Sequence, residues 1–115
     1  MTIKRYNPQK ILCDATEHNG VVYTAGQVAE DLSQDVRGQT EQVLKAIDDV
    51  LAQAGTDKSK ILSATIWVTD IRNREYMNKV WLTWVDPNNL PARATVEAKL
   101  ADPRMLVEIA VICAK

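Results

Sequence analysis

The chain has 115 residues, 46% of them hydrophobic and 25% charged, with a formal net charge of −1. One domain over 1–115 is the expectation at this length, and these fractions exclude disordered and low-complexity classes. No apolar run reaches the ~18 residues of a membrane helix, the first residues lack the apolar stretch of an export signal, and a pI near 5.8 argues against phosphate-gripping work, so the expected setting is the cytoplasm, with neither membrane nor nucleic acid as partner.

Asn19-Gly20 is the sequence of a type I′ hairpin turn, joining an arm over 13–18 to a β-rich arm over 21–25. From Asp35 the period changes: Val36, Thr40, Val43, Leu44, Ile47, Val50, Leu51 and Ala54 recur at spacings of three and four. That stripe predicts a helix with Asp35 as its N-cap and Gly55 just past its end. Ile61–Val68 alternates as a strand. After a turn over 70–73, Met77, Val80, Trp81 and Trp84 mark a second amphipathic helix, with Asn73 as its cap. Residues 86–91 are a loop by composition. The span 94–100 reads as a strand, 101–104 as a turn and 106–114 as a closing strand.

The order β-β-α-β-α-β-β implies an α+β fold, a mixed β-sheet with two helices packed on one face. Strand parity assigns Leu62, Ala64, Ile66 and Val68 to the helix side, with Ala94, Val96, Ala98, Leu100, Val107, Ile109, Val111 and Cys113. The opposite face then carries Ile61, Ser63, Thr65, Trp67, Arg93, Thr95, Glu97, Lys99, Leu106, Glu108, Ala110 and Ile112. Two helices cannot cover both sides, so a closed homo-oligomer burying that second face is expected.

Cysteine and histidine limit the chemistry. Cys13 and Cys113 read as small buried hydrophobes with reduced thiols, although spacing alone leaves a disulfide open. A nucleophilic pair of Cys13 with His18 rests on residue type only. His18 has no second histidine to form a ligand set, so no metal site is expected. Arg93 and Thr95, two apart on a strand, point the same way, and arginine's planar fork fits a carboxylate. Glu108 interrupts an apolar run, where a carboxylate is costly unless paired or used. Two readings stay open on pattern alone: a salt bridge tying two strands, or a small-carboxylate site.

From Pro91 the chain reads Pro-Ala-Arg-Ala-Thr-Val-Glu-Ala-Lys-Leu, followed by Val107-Glu108-Ile109 after the Asp102-Pro103 turn. This resembles the signature of the RidA (YjgF-like) family of reactive-intermediate deaminases. Thr24-Ala25-Gly26-Gln27, Gln39-Thr40, Ala54-Gly55 and Tyr76-Met77-Asn78 also fall where that family has comparable residues. The resemblance implies a chorismate-mutase-like trimer with inward-facing sheets and ligand clefts between subunits. It also implies hydrolysis of reactive 2-imino acids, tautomers of enamines, to 2-oxo acids and ammonia without a cofactor. Arg93 matches the arginine that grips the substrate carboxylate, and Glu108 the glutamate that helps place water. Asn78 and Gly26 match cleft positions. Three positions depart from the pattern: Thr95 stands where the usual cleft cysteine is, Leu12 where there is a tyrosine and Ala25 where there is a serine. Such a side branch keeps the carboxylate anchor in a less polar pocket. A trimer that binds 2-oxo acids without turnover, as a sensor, is the alternative.

Overall fold

The first helix forms where the apolar stripe predicts it. In a computed structural model describing residues 2–115, α1 spans Val36–Gln53 and buries Val36, Val43, Leu44, Ile47, Val50 and Leu51. The Asp35 carboxylate accepts a hydrogen bond from the Gly38 N–H at 2.9 Å, satisfying one of the donors a helix start leaves free. Gly55, just past the end, has φ +82°, the left-handed conformation that favours glycine at this position. The second helix, α2 (Arg74–Trp84), buries Met77 and Trp81. Asn73 precedes it but makes no capping hydrogen bond through its side chain; a 3₁₀ turn at Ile71–Asn73 leads into the helix instead.

The strands are β1 (Lys4–Tyr6), β2 (Ala15–His18), β3 (Val21–Thr24), β4 (Gln27–Val28), β5 (Ile61–Val68), β6 (Ala92–Glu97) and β7 (Val107–Ala114). They form one sheet in the order β1-β2-β3-β7-β5-β6, with β4 also paired to β7. Only β5 and β6 run parallel, joined through α2. Asn19 and Gly20 both have positive φ, 53° and 76°, as a type I′ turn requires, and His18 pairs with Val21. Strand β1 was not expected. Its short KRY sequence lacks a hydrophobic alternation, and pairing with β2 defines it.

Two register irregularities shape the sheet. Ile61 pairs with Cys113 and Ser63 with Ile112, so Leu62 is an extra residue bulged out of the ladder. This reverses the expectation at the start of β5: Ile61 joins the core and Leu62 is 51% exposed. Ala64, Ile66 and Val68 are buried as predicted, as are Val107, Ile109, Val111 and Cys113. The second irregularity lies between β3 and β4. Tyr23 pairs with Ile112 but Gln27 with Ile109, so three residues on one side oppose two on the other. The Thr24 hydroxyl fills the gap by accepting from the Val111 N–H at 3.0 Å.

Strand β6 overturns the parity reading. The parallel pairs Ala64↔Arg93 and Ile66↔Thr95 put Arg93 and Thr95 on the same side as the buried Ala64 and Ile66, facing α2. Ala92, Ala94 and Val96 are the exposed set. Small apolar side chains on an edge strand read as core, but the strand's outer neighbour is missing and its apolar side lies open. The strand also ends at Glu97, and residues 98–106 form a loop. Leu106 packs against the core rather than lying on the open face. The face opposite the helices carries Tyr23, Trp67, Val96, Glu108, Ala110 and Ile112, and Tyr23, Val96 and Ile112 are exposed.

Gln39, fully buried on α1, fixes the 98–106 loop. Its Nε2 donates to the carbonyls of Gln34 and Arg104 at 3.0 Å, and its Oε1 accepts from the Leu106 N–H at 2.9 Å. Cys13 and Cys113 are free thiols, and burial pushes the Cys113 thiol pKa up. Among the described residues, no helix is long and apolar enough to cross a membrane.

Candidate functional site

Arg93 leaves the edge strand toward α2, and its guanidinium lies over the Trp81 ring, 5.2 Å from the centroid. A cation on an indole face gains quadrupole attraction while keeping its N–H groups free for a ligand. No ion pair holds Arg93 among the described residues. Burial, followed by the nearby Arg74 charge, lowers its pKa, while Glu75 opposes that shift. Arginine remains charged all the same, so a partly buried cation stands without a direct ion-pair partner among the described residues.

A cavity of 320 Å³ opens beside it, lined by Glu75, Asn78, Trp81, Leu82 and Arg93. The spacing of Glu75, Asn78 and Leu82 along α2 places them on one helix face. The Asn78 Oδ1 is buried without a hydrogen-bond partner, and so is the Thr95 hydroxyl on the same side of β6 as Arg93. Buried polar atoms are rarely left unpaired, and these two lie on the side of the sheet that carries the unpaired Arg93. Two larger hollows of 420 Å³ lie at the start of α1 and beside Pro103, and neither is lined by an unpartnered buried polar atom.

Glu108 is elsewhere. Its register partner is Trp67, on the helix-free face, so within one chain Arg93 and Glu108 point to opposite sides of the sheet. That excludes the strand-tying Arg93–Glu108 salt bridge in the single chain. Glu108 packs on Gly26 instead: a Cβ built on Gly26 would meet the Glu108 Oε2 at 2.0 Å. The bulge at 24–26 brings that glycine there, anchored by the Ala25 N–H donating to the Asp14 carbonyl at 2.8 Å. Leu12, 47% exposed, sits on the 7–14 loop, which Asn7, Gln9, Asp14 and Gln53 pin by side-chain hydrogen bonds.

The expected site residues thus fall into separate groups: Arg93 and Asn78 at the cavity with Thr95 on the same face of β6, Glu108 with Gly26 and its neighbour Ala25, and Leu12 on its own loop. Glu75, Trp81 and Leu82 were not anticipated as lining residues. Helical spacing from Asn78 points to Glu75 and Leu82, but only once Asn78 is known to face the site.

Comparison with known proteins extends this geometry. A family model described as endoribonuclease L-PSP matches residues 2–115. A RutC family protein of Haemophilus influenzae is 46% identical over 113 residues, covering 97% of each chain. RutC family protein YoaB of Escherichia coli K12 is 40% identical over 114 residues, 99% of each. Among solved structures, a YjgF family member from Neisseria meningitidis superposes with a TM-score of 0.97 at 37% identity, covering 100% of this chain and 96% of that one. YyfA of the Rid family from Yersinia pestis gives a TM-score of 0.87 at 38% identity, covering 94% and 90%. These neighbours share the chorismate-mutase-like arrangement of sheet and helices that the residue signature implied, and the chain belongs to the YjgF/Rid family.

Proposed function

We propose that this protein hydrolyses 2-imino acids to 2-oxo acids and ammonia, in clefts shared between the subunits of a homotrimer. The observation that carries this reading is Arg93, partly buried and without an ion-pair partner among the described residues, beside a cavity that Asn78 also lines. A planar guanidinium without a counter-ion suits a small carboxylate, which it grips through two parallel hydrogen bonds. The net charge of −1 favours such a ligand over a polyanion.

The imine carbon is already electrophilic. With its carboxylate on Arg93, the substrate needs a positioned water, which adds to the carbon while the nitrogen gains protons and departs as ammonia. Glu108 is suited to hold that water and take its proton. Because Glu108 and Arg93 face opposite sides of one sheet, they act on one substrate only if a neighbouring copy supplies Glu108. The open face, with Tyr23, Val96 and Ile112 exposed, supplies the apolar surface for that assembly. The Thr95 hydroxyl can hold a water where relatives use a thiol. Leu12 and Ala25 leave the cleft less polar than in tyrosine- and serine-bearing relatives.

The same separation favours a second reading for an isolated chain, which would hold a 2-oxo acid on Arg93 without converting it. An amino-acid oxidase generating imines, with semicarbazide trapping whatever remains, separates the two. Faster loss of trappable imine with the protein present is the expected result; an unchanged rate leaves only binding. Sedimentation should show a trimer at micromolar concentration, and a monomer would remove the shared cleft.

A further inference from the structure

We infer that Trp84 and Asp48, neither of which lines the Arg93 cavity, are positioning residues that hold the guanidinium ready for its ligand through the ring of Trp81. The inference rests on Arg93 anchoring the substrate carboxylate. An arginine that keeps its N–H groups for a ligand cannot be oriented by a carboxylate of the protein, because that ion pair would occupy the same donors. Arg93 has no ion pair among the described residues, and the contact that orients it is the face of Trp81, 5.2 Å from ring centroid to guanidinium.

A ring fixes a long, flexible side chain only if the ring itself is fixed. Trp81 is 5% exposed, and one turn later on α2 Trp84 packs against it, the centroids 5.3 Å apart and the planes tilted by 54°. Trp84 is only half-buried, and two groups from outside α2 hold it. Its indole Nε1–H donates to the Asp48 Oδ2 on α1 at 2.9 Å. The Lys58 ammonium, on the 3₁₀ turn Lys58–Lys60, lies over its ring, 5.2 Å from the centroid. Asp48 has no ion pair among the described residues, so its charge-assisted bond goes to the indole undivided. The stack Asp48–Trp84–Trp81–Arg93 thus runs from α1 across α2 to the edge strand β6. Ordering the arginine before the ligand arrives removes that cost from binding. A loosened Arg93 makes the same hydrogen bonds once occupied, so binding weakens while the chemical step is unaltered.

The test uses the wild type, Asp48→Ala, Asp48→Asn and Trp84→Phe. It measures kcat and KM for the imine made by oxidising leucine, Kd for the corresponding 2-oxo acid, and ¹⁵N relaxation of the Arg93 Nε–H in ligand-free protein. Asp48→Ala removes the acceptor and Trp84→Phe the donor, and each should raise KM and Kd about three- to tenfold with kcat unchanged, the scale of freeing one long side chain. Asp48→Asn keeps a carbonyl oxygen for the indole N–H and should restore wild-type behaviour. The Arg93 Nε–H signal should be rigid in the wild type and Asp48→Asn, and mobile in the other two. If the melting temperature falls in Asp48→Ala and Trp84→Phe while KM, Kd and the Arg93 signal stay put, the stack only packs the helices and the inference is overturned. A fall in kcat at constant KM overturns it too. If no form hydrolyses the imine, the proposed reaction is wrong, and Kd with the Arg93 signal still decides the positioning role.

Discussion

Gly26 and Glu108 occupy each other's space: a methyl group at Gly26 would reach within 2.0 Å of the Glu108 Oε2. Gly26 is not among the glycines with positive φ, so alanine fits its backbone and the added methyl group displaces only the Glu108 side chain. Gly26→Ala should leave the melting temperature near wild type while moving the carboxylate, and imine hydrolysis should fall about tenfold or more through misplacement of the group. Thermal melting and turnover on the same preparation check this. A variant that keeps full activity would show that the position of Glu108 does not matter.

Among the described residues Arg93 has no ion pair to lose, so truncation should cost little stability. Arg93→Ala gives up the contact with Trp81, about 0.5–1 kcal/mol. It should nevertheless lower kcat/KM about ten- to a hundredfold by removing a charge-assisted contact to the substrate. Arg93→Lys keeps the charge without the fork and should recover little. Steady-state kinetics beside denaturant titration separates the two effects.

The sequence made the helices legible because each carries a long stripe with a fixed period. Asp35 and Gly55 punctuate α1 as their residue types require. The sheet was less legible because its period is two, and one extra residue exchanges the faces. Leu62, bulged from β5, is such a residue, and no glycine or proline beside it announces the bulge. On β6, alanine and valine alternate with arginine and threonine, and hydrophobicity alone assigns the wrong side. There the edge position and the parallel partner β5 decide. Arg93 and Glu108 therefore read as sharing one face, whereas the sheet holds them on two. Glu75 as a lining residue of the Arg93 cavity is not legible in the sequence, because only tertiary packing brings the start of α2 beside β6.

Gln39 supplies a stability prediction independent of function. Gln39→Leu keeps the volume but leaves the Leu106 N–H and the carbonyls of Gln34 and Arg104 without that partner. Stranded buried groups of this kind should cost about 2–4 kcal/mol. The midpoint of urea unfolding measures the loss, and an unchanged midpoint would mean that water replaces the side chain.

Acid and alkali should each loosen the contact between β1 and β2. The Tyr6 hydroxyl donates to the Glu17 carboxylate at 2.6 Å, and the Lys115 ammonium lies 3.2 Å from the same oxygen. The Tyr6 hydrogen bond, then that of Lys115, lowers the Glu17 pKa below its usual 4.5, so its contribution is present above that pH and fades as pH falls through the lowered value. The Glu17 bond raises the Tyr6 pKa above 10.0, so that contribution is present below pH 10 and is lost as pH rises through the raised value. Tyr6→Phe should flatten both flanks of the stability–pH curve, measured by urea midpoints across the range.

On the proposed reading, Arg93 and Glu108 act on one substrate from different copies of the chain. Mixing Arg93→Ala with Glu108→Gln chains and letting them reassemble tests it. Each variant alone should be nearly inactive. In mixed assemblies, some clefts receive an intact arginine from one chain and an intact glutamate from the other. At equal mixing about a quarter of clefts should be whole, restoring about that fraction of wild-type activity. Activity that stays at the level of the separate variants would rule out a cleft shared between copies.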